Sequence, residues 1–239
     1  MKQTLRCLLV VFLLLALLVG LEYTGIADVP GVDATELGVG PRTSVVGASG
    51  PGAPTEPAPS DPAAGTDAAQ IRLVTWNLYN FGRTKDDQEI SVAAETLRDA
   101  DVVAAQEIVT SPPGSQAIGK LDSELDRTGA AWDYRISKPT TGPGTEKYAF
   151  LWKPSRLRLM GQAWLEASLA DSLDREPYLA RFKHRESGRT LLVASLHAVP
   201  SSKDPEREVA LLNRLDWQYE TDHVMLVGDF NLDEDDPAF

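Results

Sequence analysis

The apolar run Val224-Met225-Leu226-Val227 leads directly into Gly228-Asp229-Phe230-Asn231. It reads as a buried strand that delivers an acid and an amide to the mouth of a sheet. Only Phe230 separates Asp229 from Asn231, so in extended geometry both side chains point to the same face. That pairing suits a site that holds a phosphate or a metal and orients a nucleophile. A buried strand of this kind needs neighbours, and the preceding sequence supplies them.

Ile71 to Trp76 has the composition of a strand and delivers Asn77. Asp86 to Arg98 carries Ile90, Val92, Ala93, Ala94 and Leu97 at helical spacing. Asp101 to Gln106 is a second buried strand, delivering Glu107, and a second helix is expected near Ser115 to Asp126. Further strands are expected over 132–136, 147–152, 157–165, 178–182 and 190–196. A helix over 205–219 follows, with Pro205 at a first-turn position, and leads into the Val224–Asp229 strand. Strands and helices interleave through short connections, which favours a layered α/β domain. No internal repeat is present.

Composition sets the outer limits. The 239 residues, 43% apolar and 24% charged, suit one or two globular domains. A formal charge of −12 argues against nonspecific adhesion to nucleic acid or anionic membranes. It does not argue against hydrolysing a phosphodiester, because acidic residues that collect divalent cations give the same bias. The single cysteine, Cys7, leaves the folded part without an internal disulfide.

Lys2 and Arg6 precede an uncharged stretch from Cys7 to Leu21, with the small-x-small triplet Gly25-Ile26-Ala27 beyond it. Residues 1–27 therefore read as an export leader, either a cleaved signal peptide or a retained membrane anchor. The expected location is outside the cell, secreted or tethered at the outer face of the membrane. Residues 28–70 hold 7 Gly, 7 Pro and 8 Ala and no aromatic. Such a segment cannot bury enough apolar surface to offset its ordering entropy, and it reads as a linker. The folded domain is expected over 71–239.

Four of the predicted strands end in groups of catalytic type: Asn77, Glu107, His197, and the Asp229/Asn231 pair. Alone, each is an ordinary strand-terminal cap or turn former; together they suggest convergence. Carbonyl and carboxylate oxygens suit Mg²⁺, Mn²⁺ or Ca²⁺, and the lack of clustered Cys and His argues against structural zinc. Two further histidines stand apart. His184 lies between Lys183 and Arg185 at a strand end and is expected to be solvated, and His223 is expected to be a strand-entry residue without a catalytic role.

Thr75-Trp76-Asn77, Gln106-Glu107, Ser195-Leu196-His197 and Gly228-Asp229-Phe230-Asn231 occur in an order that resembles the endonuclease/exonuclease/phosphatase superfamily. Asn77-Leu78-Tyr79-Asn80-Phe81-Gly82, the Glu146 to Pro154 segment and Arg175-Glu176-Pro177 are similar to its deoxyribonuclease I-like branch. The resemblance runs from about Ile71 to Asn231. It implies a four-layer α-β-β-α sandwich of two packed mixed sheets. It also implies metal-dependent phosphodiester hydrolysis by direct attack of water, with DNA a better substrate candidate than RNA and no protein partner. Carried over to this chain, Glu107 would ligate the cation with Asn77 nearby. His197 would act as general acid or base, oriented by Glu146. Asp229 and Asn231 would bind and polarise around the scissile phosphate, and Arg175 would neutralise phosphate charge.

Two departures bear on this reading. The family pattern continues past Gly-Asp-x-Asn with further strands and a closing Asp-His pair, whereas this sequence ends at Phe239, eight residues after Asn231. The final strands and the second half of the site are therefore expected to be missing. Positions used by DNA-cutting members for an Arg and a Tyr hold Val109 and Gly144, which puts groove-reading contacts in question. A phosphomonoesterase or phospholipid phosphodiesterase on the same scaffold, or a non-catalytic binding domain, are the alternatives.

Overall fold

The computed structural model describes residues 70–220 and 223–238. The expected leader and all of the expected linker except Gln70 lie outside the described residues, as do Thr221, Asp222 and Phe239. No helix among the described residues is long and apolar enough to cross a membrane.

The described residues form nine strands and four α-helices. They are β1 (Leu73–Phe81), α1 (Asp87–Leu97), β2 (Val102–Ile108), α2 (Pro112–Arg127), β3 (Asp133–Ile136), β4 (Lys147–Trp152), β5 (Leu157–Leu159), β6 (Trp164–Leu165), β7 (Tyr178–His184), β8 (Thr190–His197), α3 (Pro205–Leu211), α4 (Asn213–Gln218) and β9 (His223–Asp229). One sheet has the order β1-β2-β4-β3 and the other β5-β7-β8-β9, with β6 paired to β7. Both are mixed: β1 runs parallel to β2 and β8 parallel to β9, while the other pairs are antiparallel.

Strand periodicity builds the layers. Val103, Ala105, Ala149 and Leu151 face α1 and α2, where they meet Ile90, Leu97, Ile118, Leu121 and Leu125. Their neighbours Val102, Ala104, Tyr148, Phe150 and Trp152 face the other way and pack between the sheets against Tyr178, Ala180, Phe182 and Val193. Leu192, Ala194 and Leu196 cover the outer face of the second sheet together with Val209, Leu212, Leu215 and Phe230. The result is the expected four-layer sandwich. Aromatic rings hold its middle: Phe150 stacks on Tyr178 at 5.2 Å and meets Phe182 edge-on at 5.9 Å. Pairs of this kind contribute about 0.5–1.5 kcal/mol beyond their buried area.

Several elements differ from expectation for local reasons. α2 starts at Pro112, earlier than the apolar spacing suggests, because Pro112 and Pro113 fill the first two helical positions, where a missing N–H costs little. The expected 157–165 strand splits into β5 and β6 around Gly161, whose φ of +79° breaks the extended path. The expected 205–219 helix breaks at Leu212, whose N–H bonds to the Val209 carbonyl, while the Asn213 amide takes that of Ala210. α1 has its full capping box, with Asp86 and Glu89 each receiving the other's backbone N–H.

His184 is a correction. It was expected in solvent but is only 2% exposed, because β7 runs on through it and β5 pairs alongside at Leu157. Its Nδ1 is hydrogen-bonded to the Ser187 hydroxyl at 2.8 Å. His223 is exposed at the start of β9.

β8 and β9 approach unusually closely near the functional end of the sandwich. Gly228 has φ +140°, and a Cβ there would lie 1.8 Å from the Leu196 carbonyl oxygen. Gly228→Ala is therefore expected to destabilise the fold by at least about 2 kcal/mol, combining overpacking with backbone strain. Urea unfolding of the variant beside the parent checks this.

A second prediction concerns α2. Burial, followed by repulsion from Asp126 and then Asp133, pushes the Asp122 carboxyl up to about 6 from 3.8. The folded state thus holds this proton more tightly than the unfolded chain, so stability falls as pH climbs through that window and the penalty is complete above it. Asp122→Asn should raise the thermal midpoint at pH 7.5, and the gain should shrink towards zero at pH 3.5. A gain that persists in acid would show that charge is not the cause.

Candidate active site

Each site residue owes its position to a strand end or a bulge. Asn77 sits within β1 just before the register with β2 shifts, and Glu107 occupies the corresponding irregularity in β2. Glu107 has φ +60°, a left-handed conformation that costs a non-glycine residue about 1–3 kcal/mol. Its carboxylate is pinned on both oxygens: Oε1 accepts from Asn77 Nδ2 at 2.9 Å and Oε2 from the Asn80 N–H at 2.9 Å. The strain turns Glu107 out of the strand alternation and into the mouth of the site.

His197 is the last residue of β8 and Asp229 the last of β9, and the two are paired in register. Glu146 stands immediately before β4. Its Oε2 lies 2.9 Å from His197 Nδ1, and its Oε1 accepts the Glu107 N–H at 3.1 Å. Nδ1–H donation to this carboxylate selects the tautomer whose free lone pair is on Nε2. Nε2 lies 4.0 Å from both Glu107 Oε1 and Asp229 Oδ2. His197 and Glu146 are buried, while Glu107 and Asp229 keep 21% and 29% of their side chains exposed. The buried pair therefore sets the geometry, and the two partly open carboxylates face whatever enters.

A continuous series of hydrogen bonds joins these groups. Asn77 Nδ2 bridges Glu107 and Asp229, reaching Asp229 Oδ2 at 3.0 Å, and its Oδ1 accepts the Tyr79 N–H. Asp229 Oδ1 accepts the Asn231 N–H, and Asn231 Nδ2 donates to the Ala198 carbonyl at 2.9 Å. Asn231, with φ +52°, is held in a left-handed turn suited to asparagine. The structure thus brings Asn77, Glu107, Glu146, His197, Asp229 and Asn231 to one end of the sandwich.

Arg175 joins them from behind. Its Nε donates to the His197 carbonyl and its Nη2 to the Ala198 carbonyl, both at 2.8 Å. Nη1 lies 3.8 Å from Glu146 Oε2 and 3.7 Å from Asp174 Oδ2. The side chain is 10% exposed. The guanidinium expected to meet a phosphate is directed inward, bracing the end of β8.

Two contributors escape a reading of strand-end residues. The Tyr148 hydroxyl, fully buried, accepts the His197 N–H at 3.1 Å. Burial first and the Glu146 charge second push that phenol well above its ordinary range, so it stays neutral. Gln106 Nε2 bonds to Ser195 Oγ at 2.9 Å and to Thr75 Oγ1 at 3.0 Å, tying the two sheets together behind the site. The signal for both was polarity inside an apolar run, since a buried Tyr or Gln must find a partner.

Among the described residues no group of three or more His, Cys, Asp or Glu forms a ready-made metal cage. The donor set suits a different arrangement. Mg²⁺ is commonly held by one or two carboxylates with waters and substrate oxygens completing the shell. Glu107 and Asp229, partly exposed and bridged by Asn77, match that requirement.

Residues 74–239 match the model of the Endonuclease/Exonuclease/phosphatase family. The chain is 31% identical over 176 residues to a protein from Thioalkalivibrio sp. (strain K90mix) named deoxyribonuclease, an alignment covering 69% of this chain and 47% of that one. It therefore spans about half the length of that curated relative. An endonuclease/exonuclease/phosphatase family protein from Bacteroides thetaiotaomicron superposes with a TM-score of 0.54 at 17% identity, covering 70% of this chain and 66% of that chain. A mannosyl-6-phosphatase from the same organism gives 0.54 at 16%, covering 71% and 68%. These two likenesses concern the fold, and the fold, the motif order and the family match lead to one assignment. The chain belongs to the Endonuclease/Exonuclease/phosphatase family.

Proposed function

We propose that this protein hydrolyses phosphodiester bonds in nucleic acid, DNA in preference to RNA, with the aid of a divalent cation. The observation that carries this reading is His197, whose Nδ1 is fixed by Glu146 while its Nε2 is turned between two partly open carboxylates. The name of the Thioalkalivibrio relative supports the choice of DNA. Export through residues 1–27, with secretion or tethering at the outer membrane face, belongs to the same proposal.

Glu107, Glu146 and Asp229 gather three carboxylates around one imidazole. A phosphodiester anion enters such a surrounding only with compensating positive charge, and Arg175 is committed to carbonyls behind the site. Enzymes of this family are generally dependent on divalent metals. In this chain Glu107, with Asp229 and the Asn77 bridge beside it, would hold the cation, Mg²⁺ before Mn²⁺ or Ca²⁺. Bound there, it would offset the charge that develops on the phosphoryl oxygens.

The chain's own residues account for the proton traffic. Water adds to phosphorus as the ester P–O bond breaks, so one proton leaves the water and one reaches the departing oxygen. His197 Nε2 carries out one of these transfers, as base or as acid, and Glu146 stabilises the imidazolium whenever the ring is charged. Asp229 and Asn231 bind and orient around the phosphate. Arg175 acts as a positioning residue by clamping the His197 and Ala198 carbonyls.

In a complete domain, His197→Ala should lower turnover of plasmid DNA by about 10²–10⁴-fold with little loss of thermal stability. Adding Glu146→Gln should cost little more, because the two residues act as a unit. Full additivity in this cycle would break the dyad. EDTA should abolish nicking and Mg²⁺ or Mn²⁺ restore it, whereas turnover of a phospholipid with plasmid left intact would overturn the nuclease reading.

A further inference from the structure

At the lip of the site the chain exposes an aromatic ring on a fully tethered backbone. Tyr79 is 63% exposed, two residues after Asn77 and next to Asn80, both of which bind Glu107. It has φ +49°, and Asn80 follows at +50°. Two successive left-handed residues, the first a bulky aromatic, are uncommon outside functional segments.

Every available backbone bond holds this turn in place. The Tyr79 N–H is taken by Asn77 Oδ1 at 3.0 Å, and its carbonyl accepts from the Thr84 hydroxyl at 3.1 Å. The Asn80 N–H is taken by Glu107 and its carbonyl by the Arg83 N–H. A phenol ring is thus projected outward, and the N–H of the next residue, Asn80, is fastened to the same carboxylate that faces His197. Lys85 Nζ lies 5.6 Å from the ring centroid, placing a flexible cation beside the aromatic surface.

We propose that Tyr79 and Lys85 form a subsite for single-stranded nucleic acid, the ring stacking on one unpaired base and the ammonium pairing with its phosphate. This rests on the nucleic-acid reading of the site and specifies the form of the substrate. A base inside a duplex has both π-faces covered by its neighbours, so an exposed ring selects a base that is unstacked. Gly144, beside Asp174 and Arg175, carries no side chain with which to read a groove.

The test is equilibrium binding by the 239-residue chain in Mg²⁺, with phosphorothioate-linked probes so that the cation is in place while hydrolysis is suppressed. Probes are a fluorescein-labelled thymidine dodecamer, an abasic oligonucleotide of the same length and charge, and a duplex of the dodecamer. The parent should bind the single strand at least about 5-fold more tightly than the abasic strand, in line with one stacked base. It should also favour the single strand over the duplex. Tyr79→Ala should erase the preference over the abasic strand, Tyr79→Phe should retain it, and Lys85→Ala should weaken the thymidine and abasic strands alike. Equal binding of thymidine and abasic strands by the parent, no binding of either, a preference for the duplex, or a preference unchanged in Tyr79→Ala would each overturn the subsite. Failure of a complete domain to nick DNA with Mg²⁺ would count against the hydrolase reading alone, since the binding measurement requires no turnover.

Discussion

The Glu146 carboxylate spans the two halves of the sandwich. One of its oxygens holds the backbone N–H of Glu107 on the first sheet, and the other holds the ring of His197 on the second. Each sheet on its own carries half of the constellation. Only the packing of Tyr148, Phe150 and Trp152 against Tyr178 and Phe182 sets the separation at which one carboxylate can serve both. The Gln106–Ser195 bond fixes the same separation from behind. The apolar interior therefore decides the distances on which the polar end depends.

Electrostatics follows from that arrangement. Three carboxylates converge on one imidazole, and the remaining strong cation of the cluster, Arg175, is bound to main-chain carbonyls. Its charge still reaches Glu146 at 3.8 Å and so steadies the buried acid. The partly open pair, Glu107 and Asp229, faces the mouth. Under the proposed function, a net charge of −12 is compatible with an anionic substrate, because the acids would act through a cation they recruit.

Much of this was legible in the sequence, because the strongest patterns were the ones burial requires. The Val224–Val227 run and its sequel marked β9 and its terminal Asp229, and the motif order assembled the six residues that the structure groups. Boundaries were harder to read. Bulges at Asn77 and Glu107 carry β1 and β2 beyond their apolar runs, and a bulge is a three-dimensional compromise that no periodicity reports. His184 was misread because its flanking Lys183 and Arg185 are polar, while its own side alternates inward with Phe182. Arg175 showed its charge in sequence but not its direction, since its acceptors are carbonyls of residues more than twenty positions away.

The bond from Asn77 to Asp229 closes a loop of 152 residues. Contacts this distant form late in folding, after the entropy of closure has been met by the intervening core. During vectorial synthesis, β1, β2 and β4 emerge first and can assemble the Glu107–Glu146 side, but no site exists until β9 has slotted in beside β8. A nascent chain therefore carries Asn77, Glu107 and Glu146 without the His197 and Asp229 that complete the constellation.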